Sequence, residues 1–323
     1  MSGSIHHVEP RYSPMLVKIT KDRIRKGMFV ESVACPSREF ARRRFLVKTD
    51  EELAAIRATS ALDVSINVQL GLDPDGHKPL TGKSRPPADI VRVEAVRSET
   101  SQSARALRAS LGSLAVGGSL DMADLSQAAE INAGIWSDNT VIALEVTRLK
   151  SKDETTYVHS LAVSGMMTLL ARSLGMDEET TGILGVAGML HDIGKLLIPN
   201  EILTKPGKLT DQERRLIRNH PEAGYHLLRS YPDLPPVVLD ICRLHHEALD
   251  GSGYPLGLKN EDLSLPVRLS TVCDVFEALT SVRPYKRPWT STEALDWMFE
   301  RPQIFDRKLV IRLGSVLTDA PLR

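Results

Sequence analysis

Two periodicities divide the chain. From about Pro14 to Gly71 the apolar positions alternate or fall in short β-branched runs. KITKDRIRKGMFVES carries a Gly turn between strand-like pieces, RRRFLVKTDEELAAIRA passes from a strand into a helix started at Asp50, and SALDVSINVQ alternates with period two. The segment Asp73 to Ala88, DPDGHKPLTGKSRPPA, is dense in Pro, Gly and Lys and reads as a linker. Beyond it apolar residues recur every three or four positions, which aligns them on one face of a helix. The spacing predicts helices over 97–111 and 122–150, separated by the Gly-rich turn LGSLAVGGS. More follow over 154–174, 178–193, 211–219, 221–230, 236–248, 266–281 and 292–300. Two starts are well marked, by Asp177 ahead of two glutamates and by Thr210 with Glu213 in capping-box spacing. Residues 1–13 read as a loose tail and the ending IRLGSVLTDAPLR as unstructured. The expected fold is mainly α: a small α+β module over 14–72, a linker over 73–96, and a helical bundle over 97–315.

Composition narrows the partners. A length of 323 residues agrees with about two domains. Lys and Arg total 41 and so do Asp and Glu, so the chain lacks the cationic surplus that sheathing a long nucleic acid needs. Aromatics at 5% also argue against a base-stacking platform for single strands. No apolar run approaches the roughly 18 residues that span a bilayer, and the N-terminus has no signal-like apolar core. Cys35, Cys242 and Cys273 lie too far apart for a metal or redox motif, so the default setting is the reducing cytoplasm. The run Arg42, Arg43, Arg44 reads as a solvated face.

Candidate chemistry lies in the histidines. Five of the nine fall at positions that make sense together: His159, His191, His220 and the pair His245–His246, with Asp192 directly after His191 and Asp274 further on. They lie on or at the edges of different predicted helices, and a bundle can turn such side chains inward to one point. His and Asp together suit Mn²⁺, Fe²⁺, Ni²⁺ or Zn²⁺ better than Mg²⁺ or Ca²⁺, which prefer all-oxygen shells. His6, His7 and His77 fall in the tail and linker, and His226 follows His220 by six, on another helix face; these four read as solvated or packing residues.

The segments around these histidines resemble a known family. HDIGKLLIP (His191 to Pro199) resembles the motif that names the HD phosphohydrolases, and HHEALDGSGYP (His245 to Pro255) the second motif of their HD-GYP subfamily. LTKPGKLTDQERRLIRNHPEAG between them, with its His-Pro step at His220, and DVFEALTSVRPYK after them are similar to further family blocks. The resemblance covers about residues 150–310, and the front module, with IRKGMFV, is similar to a small domain of unknown role often found ahead of HD-GYP domains.

What the resemblance implies is a cyclic di-GMP phosphodiesterase, opening the dinucleotide to linear pGpG and, in many members, continuing to GMP. It implies two divalent metals, iron or manganese before nickel or zinc, which neutralise the phosphate and acidify a water. Asp192 would bridge them, with His159, His191 and Asp274 completing one shell and His220, His245 and His246 the other. Lys195 would hold the scissile phosphate or stabilise charge building on it. Gly253 and Tyr254 in the loop, and Arg283 and Lys286 after the Asp274 helix, would contact substrate. Members with three metals carry a Glu where this chain has Thr155, so two are expected. The competing reading is a low-turnover cyclic di-GMP sensor, or a module docking a signalling protein through the GYP loop. A third is a related phosphohydrolase acting on another nucleotide. All seven ligand candidates and Lys195 are present, which favours the enzyme; a homodimer is the default assembly.

Overall fold

The computed structural model describes residues 16–36, 39–40, 42, 45–68, 70–76, 87–114, 118–148, 155–205, 207–282 and 288–318. The chain divides into two units, Met1–Ala88 and Asp89–Arg323.

In the first unit, β1 (Leu16–Thr20), β2 (Phe29–Val33), β3 (Phe45–Leu46) and β4 (Asp63–Asn67) form one antiparallel sheet in the order β1-β4-β2-β3. The register pairs Leu16 with Asn67 and Thr20 with Asp63, and slips between Val30 and Ser32 of β2. Helix α1 (Asp50–Arg57) joins β3 to β4 and closes a core of Ile19, Ile24, Met28, Val30, Phe45, Val47, Ile56, Val64 and Ile66. The alternation of Val64 and Ile66 in β4 puts both on that buried face. Helix α1 starts at Asp50, and Thr49 caps it through a reciprocal capping box with Glu52. Arg42 pairs with Glu52 and lies over Phe45, a surface role; Arg43 and Arg44 lie outside the described residues.

The second unit is helical: α2 (Pro87–Leu114), α3 (Met122–Arg148), α4 (Thr155–Ser173), α5 (Glu178–Leu190), α6 (Asn200–Leu203), α7 (Asp211–Arg218), α8 (His220–Leu228), α9 (Pro236–Leu244), α10 (Leu265–Thr280), α11 (Ser291–Phe299) and α12 (Arg307–Thr318). Helix α4 packs against α3, α5, α10 and α12. Apolar on most sides, with Val158, Leu161, Val163, Met166, Met167 and Leu170 all buried, it is the centre of the bundle. The caps at Asp177 and at Thr210–Glu213 form as their spacing indicates.

Two segments differ from expectation. Residues 87–96, read as the end of the linker, begin α2, because proline at a helix start removes only an N–H that is unsatisfied there anyway. Residues 311–318 of the ending read as unstructured belong to α12, which buries Leu309, Val310, Leu313 and Leu317 against the bundle; 319–323 lie outside the described residues. The ending's Ser, Thr, Asp and Pro content masked an apolar stripe of helical spacing. No helix among the described residues is long and apolar enough to cross a membrane.

Candidate metal centre

Five helices deliver the candidate residues to one place. His159 comes from α4. His191 caps the C-terminus of α5 and Asp192 starts the 3-10 turn Ile193–Leu197; His220 opens α8; His245 caps α9, with His246 next; and Asp274 sits within α10. Helices expected to run through 191–193 and 245–248 stop at Leu190 and Leu244, so these residues lie at helix ends that converge. Gly194 allows the 3-10 turn to press on α8. A Cβ there would fall 1.9 Å from the His220 carbonyl oxygen and 2.7 Å from the Gly224 nitrogen.

Asp192 is the hinge of the arrangement. Its Oδ2 lies 3.4 Å from His159 Nε2 and 3.5 Å from His191 Nε2, while its Oδ1 lies 3.0 Å from His220 Nε2 and 3.7 Å from His245 Nε2. Asp274 spans the same gap, with Oδ1 3.1 Å from His159 Nε2 and Oδ2 3.6 Å from His246 Nδ1. The donor atoms thus form two overlapping groups, Asp192 with His159 and His191, and Asp192 with His220, His245 and His246.

The outer nitrogens set the tautomers. Nδ1 of His191 donates to the Gly188 carbonyl at 2.8 Å, that of His220 to Ile217 at 2.7 Å, and that of His245 to Cys242 at 3.0 Å. Each Nε2 then directs a lone pair inward, the orientation that metal-binding imidazoles share. His159 Nε2 faces His191 Nε2 at 3.2 Å, and His220 Nε2 faces His245 Nε2 at 3.3 Å. Paired lone pairs at that separation require a cation or a proton between them. Asp192 Oδ1 is buried and accepts no well-directed hydrogen bond, although His220 is near. A buried orphan oxygen among inward imidazole nitrogens fits a divalent cation of the N/O-binding kind.

Electrostatics favour the ligating forms of His191, His245, His246 and both aspartates, whereas His159 holds a proton that a bound cation would displace. Burial pushes His191 down, His245 far down, and His246 to about 4, so these rings are neutral at pH 7. Burial also works against His159, but Glu277 and the two aspartates outweigh it and raise the ring to about 10. Burial opposes ionisation of Asp192 and Asp274 as well. Lys195 and His191 overcome it for the first, and His159 for the second, holding both well below the usual carboxylate range.

Lys195 bonds Asp192 Oδ2 at the edge of the cluster. Beyond α9, the buried Glu247 accepts from the backbone nitrogens of Leu256 at 2.7 Å, and of Gly257 and Leu258 at 3.1 Å, tying the following loop back on itself. Gly253 passes so close that a Cβ would meet the Glu247 Cα and Ala248 nitrogen at 2.4 Å. Tyr254, whose ring lies 4.7 Å from that of His246, is brought beside the cluster; Arg283 and Lys286 lie outside the described residues. Sequence reasoning passed over Glu277, whose signal was its place one helical turn after Asp274, and Glu247, directly after the histidine pair.

A bundle that turns five histidines and two aspartates onto one point defines the HD class of metal-dependent phosphohydrolase. The family model described as an HD domain matches residues 139–309, and one described as a domain of unknown function (DUF3391) matches 16–133. The chain belongs to the HD-domain family, with a DUF3391 region ahead of the HD domain. It is 38% identical over 331 residues to the cyclic di-GMP phosphodiesterase PA4108 of Pseudomonas aeruginosa, covering 96% of this chain and 79% of that one. The response regulator RpfG of Xanthomonas campestris, also named a cyclic di-GMP phosphodiesterase, is 44% identical over 46% of this chain and 40% of its own. The 3'3'-cGAMP-specific phosphodiesterase 1 of Vibrio cholerae is 37% identical over 52% of this chain and 39% of its own. Among solved structures, the HDG"Y"P protein Bd1817 of Bdellovibrio bacteriovorus shares the fold with a TM-score of 0.54 at 16% identity, over 94% of this chain and 99% of that one.

Proposed function

We propose that this chain hydrolyses cyclic di-GMP to linear pGpG. The observation that carries the reading is the division of Asp192: one oxygen toward His159 and His191, the other toward His220 and His245. His159, His191 and Asp274 would hold one ion, His220, His245 and His246 a second, and Asp192 would contribute an oxygen to each. Bound there, two iron or manganese ions would supply charge neutralisation at the phosphate and acidify a water. Asp274 and Asp192 keep negative charge beside the imidazoles and balance the site. Lys195, bonded to Asp192, is near enough to hold an oxygen of the scissile phosphate. Gly253 allows the close loop approach that puts Tyr254 at the rim, and Arg283 and Lys286 contribute cations to the same substrate.

The dinucleotide is chosen on the relative aligned over most of both chains, which is named a cyclic di-GMP phosphodiesterase. The cGAMP-specific relative aligns over about half of this chain. The test is product analysis on metal-loaded protein given cyclic di-GMP, 3'3'-cGAMP and cyclic di-AMP in parallel. Formation of pGpG fastest from cyclic di-GMP supports the reading. Faster cleavage of 3'3'-cGAMP overturns the substrate, and tight binding without turnover makes the protein a sensor.

A further inference from the structure

The described residues include several arginines stacked on aromatic rings, and one differs from the rest. Arg42 over Phe45 gives a bond to Glu52, and Arg243 over Tyr225 gives both forks to Glu222 at 2.8 Å. Arg301 over Trp297 donates to the Trp297 carbonyl, and Arg307 over Phe299 to the Phe299 carbonyl. Arg218, the last residue of α7, lies with its Cζ 4.1 Å from the centre of the Tyr254 ring. No carboxylate or carbonyl among the described residues accepts from it. It is exposed, and the ring beneath it contacts His246 of the cluster.

A guanidinium held over a ring still offers N–H groups in a planar fork that matches two oxygens of a phosphate. Arg243 shows a comparable stack completed by a carboxylate. At Arg218 no described residue supplies the anion, and the His/Asp cluster is one aromatic ring away. A cyclic dinucleotide carries two phosphates. With one at the cluster beside Lys195, the other must lie several ångströms off, over the rim. We propose that Arg218, stacked on Tyr254, binds the phosphate that is not being cut, and so positions the cyclic dinucleotide. The inference rests on the substrate class proposed above. It also gives Tyr254 a task other than stacking on a base, since its ring already carries a guanidinium.

The test compares wild type, Arg218→Ala and Arg218→Lys as metal-loaded full chains on cyclic di-GMP and on bis(4-nitrophenyl) phosphate, which has a single phosphate and no base. In Arg218→Ala the KM for cyclic di-GMP should rise about tenfold or more, with a smaller change in kcat, because a charge-assisted bidentate contact is lost. The kcat/KM preference for cyclic di-GMP over the small diester should fall by about the same factor, and Arg218→Lys should recover part of it. Metal content should match wild type. An unchanged KM, or equal losses on both substrates, overturns the role of Arg218 while leaving the activity intact. Wild type that cleaves the small diester but not cyclic di-GMP overturns the substrate reading, and this inference with it.

Discussion

Nδ1 of His159 lies 2.5 Å from Oε2 of Glu277, a contact that ties the first histidine of the cluster on α4 to the helix that carries Asp274. The other Glu277 oxygen accepts from Ser281 Oγ, so the carboxylate is fixed from both ends and both groups are buried. Glu277 bonds the outer nitrogen of His159, not the Nε2 that faces His191. It holds the His159 ring with Nε2 facing inward.

Removing that support should weaken metal binding without unfolding the bundle. In Glu277→Gln the metal affinity should fall about 10- to 100-fold, the usual effect of losing a carboxylate behind a ligating imidazole. Competition against a chromophoric chelator measures it. An affinity equal to wild type would remove Glu277 from the account.

Gly194→Ala tests the packing that places His220. The new methyl would overlap the His220 carbonyl at 1.9 Å, and neither the 3-10 turn nor α8 has a flexible side chain there to give way. A stability loss of about 1–3 kcal/mol is expected by denaturant titration. Metal bound per chain should drop as well, because the displaced residue is itself a candidate ligand. Full metal content at unchanged stability would contradict the close approach.

Glu247→Ala should free the GYP loop. Three backbone N–H groups lose a charged acceptor, a loss of at least about 2 kcal/mol. Limited proteolysis within 250–258 should speed up, and KM for the dinucleotide should rise more than kcat falls. Cleavage at the wild-type rate would show that other contacts hold the loop.

The C-terminal helix is a stability element. Leu313 is fully buried, and Leu313→Ala should cost about 2–5 kcal/mol in chemical denaturation. Unchanged stability would restore the expectation of an unstructured ending.

Four of the seven cluster residues were legible in tight local motifs, His191–Asp192 and His245–His246, whose spacing survives any tertiary arrangement, and His159, His220 and Asp274 from the blocks around them. The small antiparallel module was legible for the same reason, through its alternation and turn residues. Contacts between distant segments were not. Glu277 is 118 positions from the histidine it supports, and only the packing of α10 on α4 reveals the pair. Arg218 reads as one more cation on a strongly polar helix until Tyr254 is found beneath it. The start of α2 and the whole of α12 were hidden by proline and by small polar residues, which mark breaks on average but are compatible with helix at a first turn or on a solvated face.

The central claim is that Asp192 joins two metal positions in one hydrolytic site. It is tested most directly by elemental analysis of purified wild type and Asp192→Ala, paired with product analysis on cyclic di-GMP. The account predicts two divalent ions per wild-type chain with formation of pGpG, and loss of both metal and turnover in the variant. Turnover by metal-free protein, or an Asp192→Ala chain that keeps both ions and the activity, would contradict it.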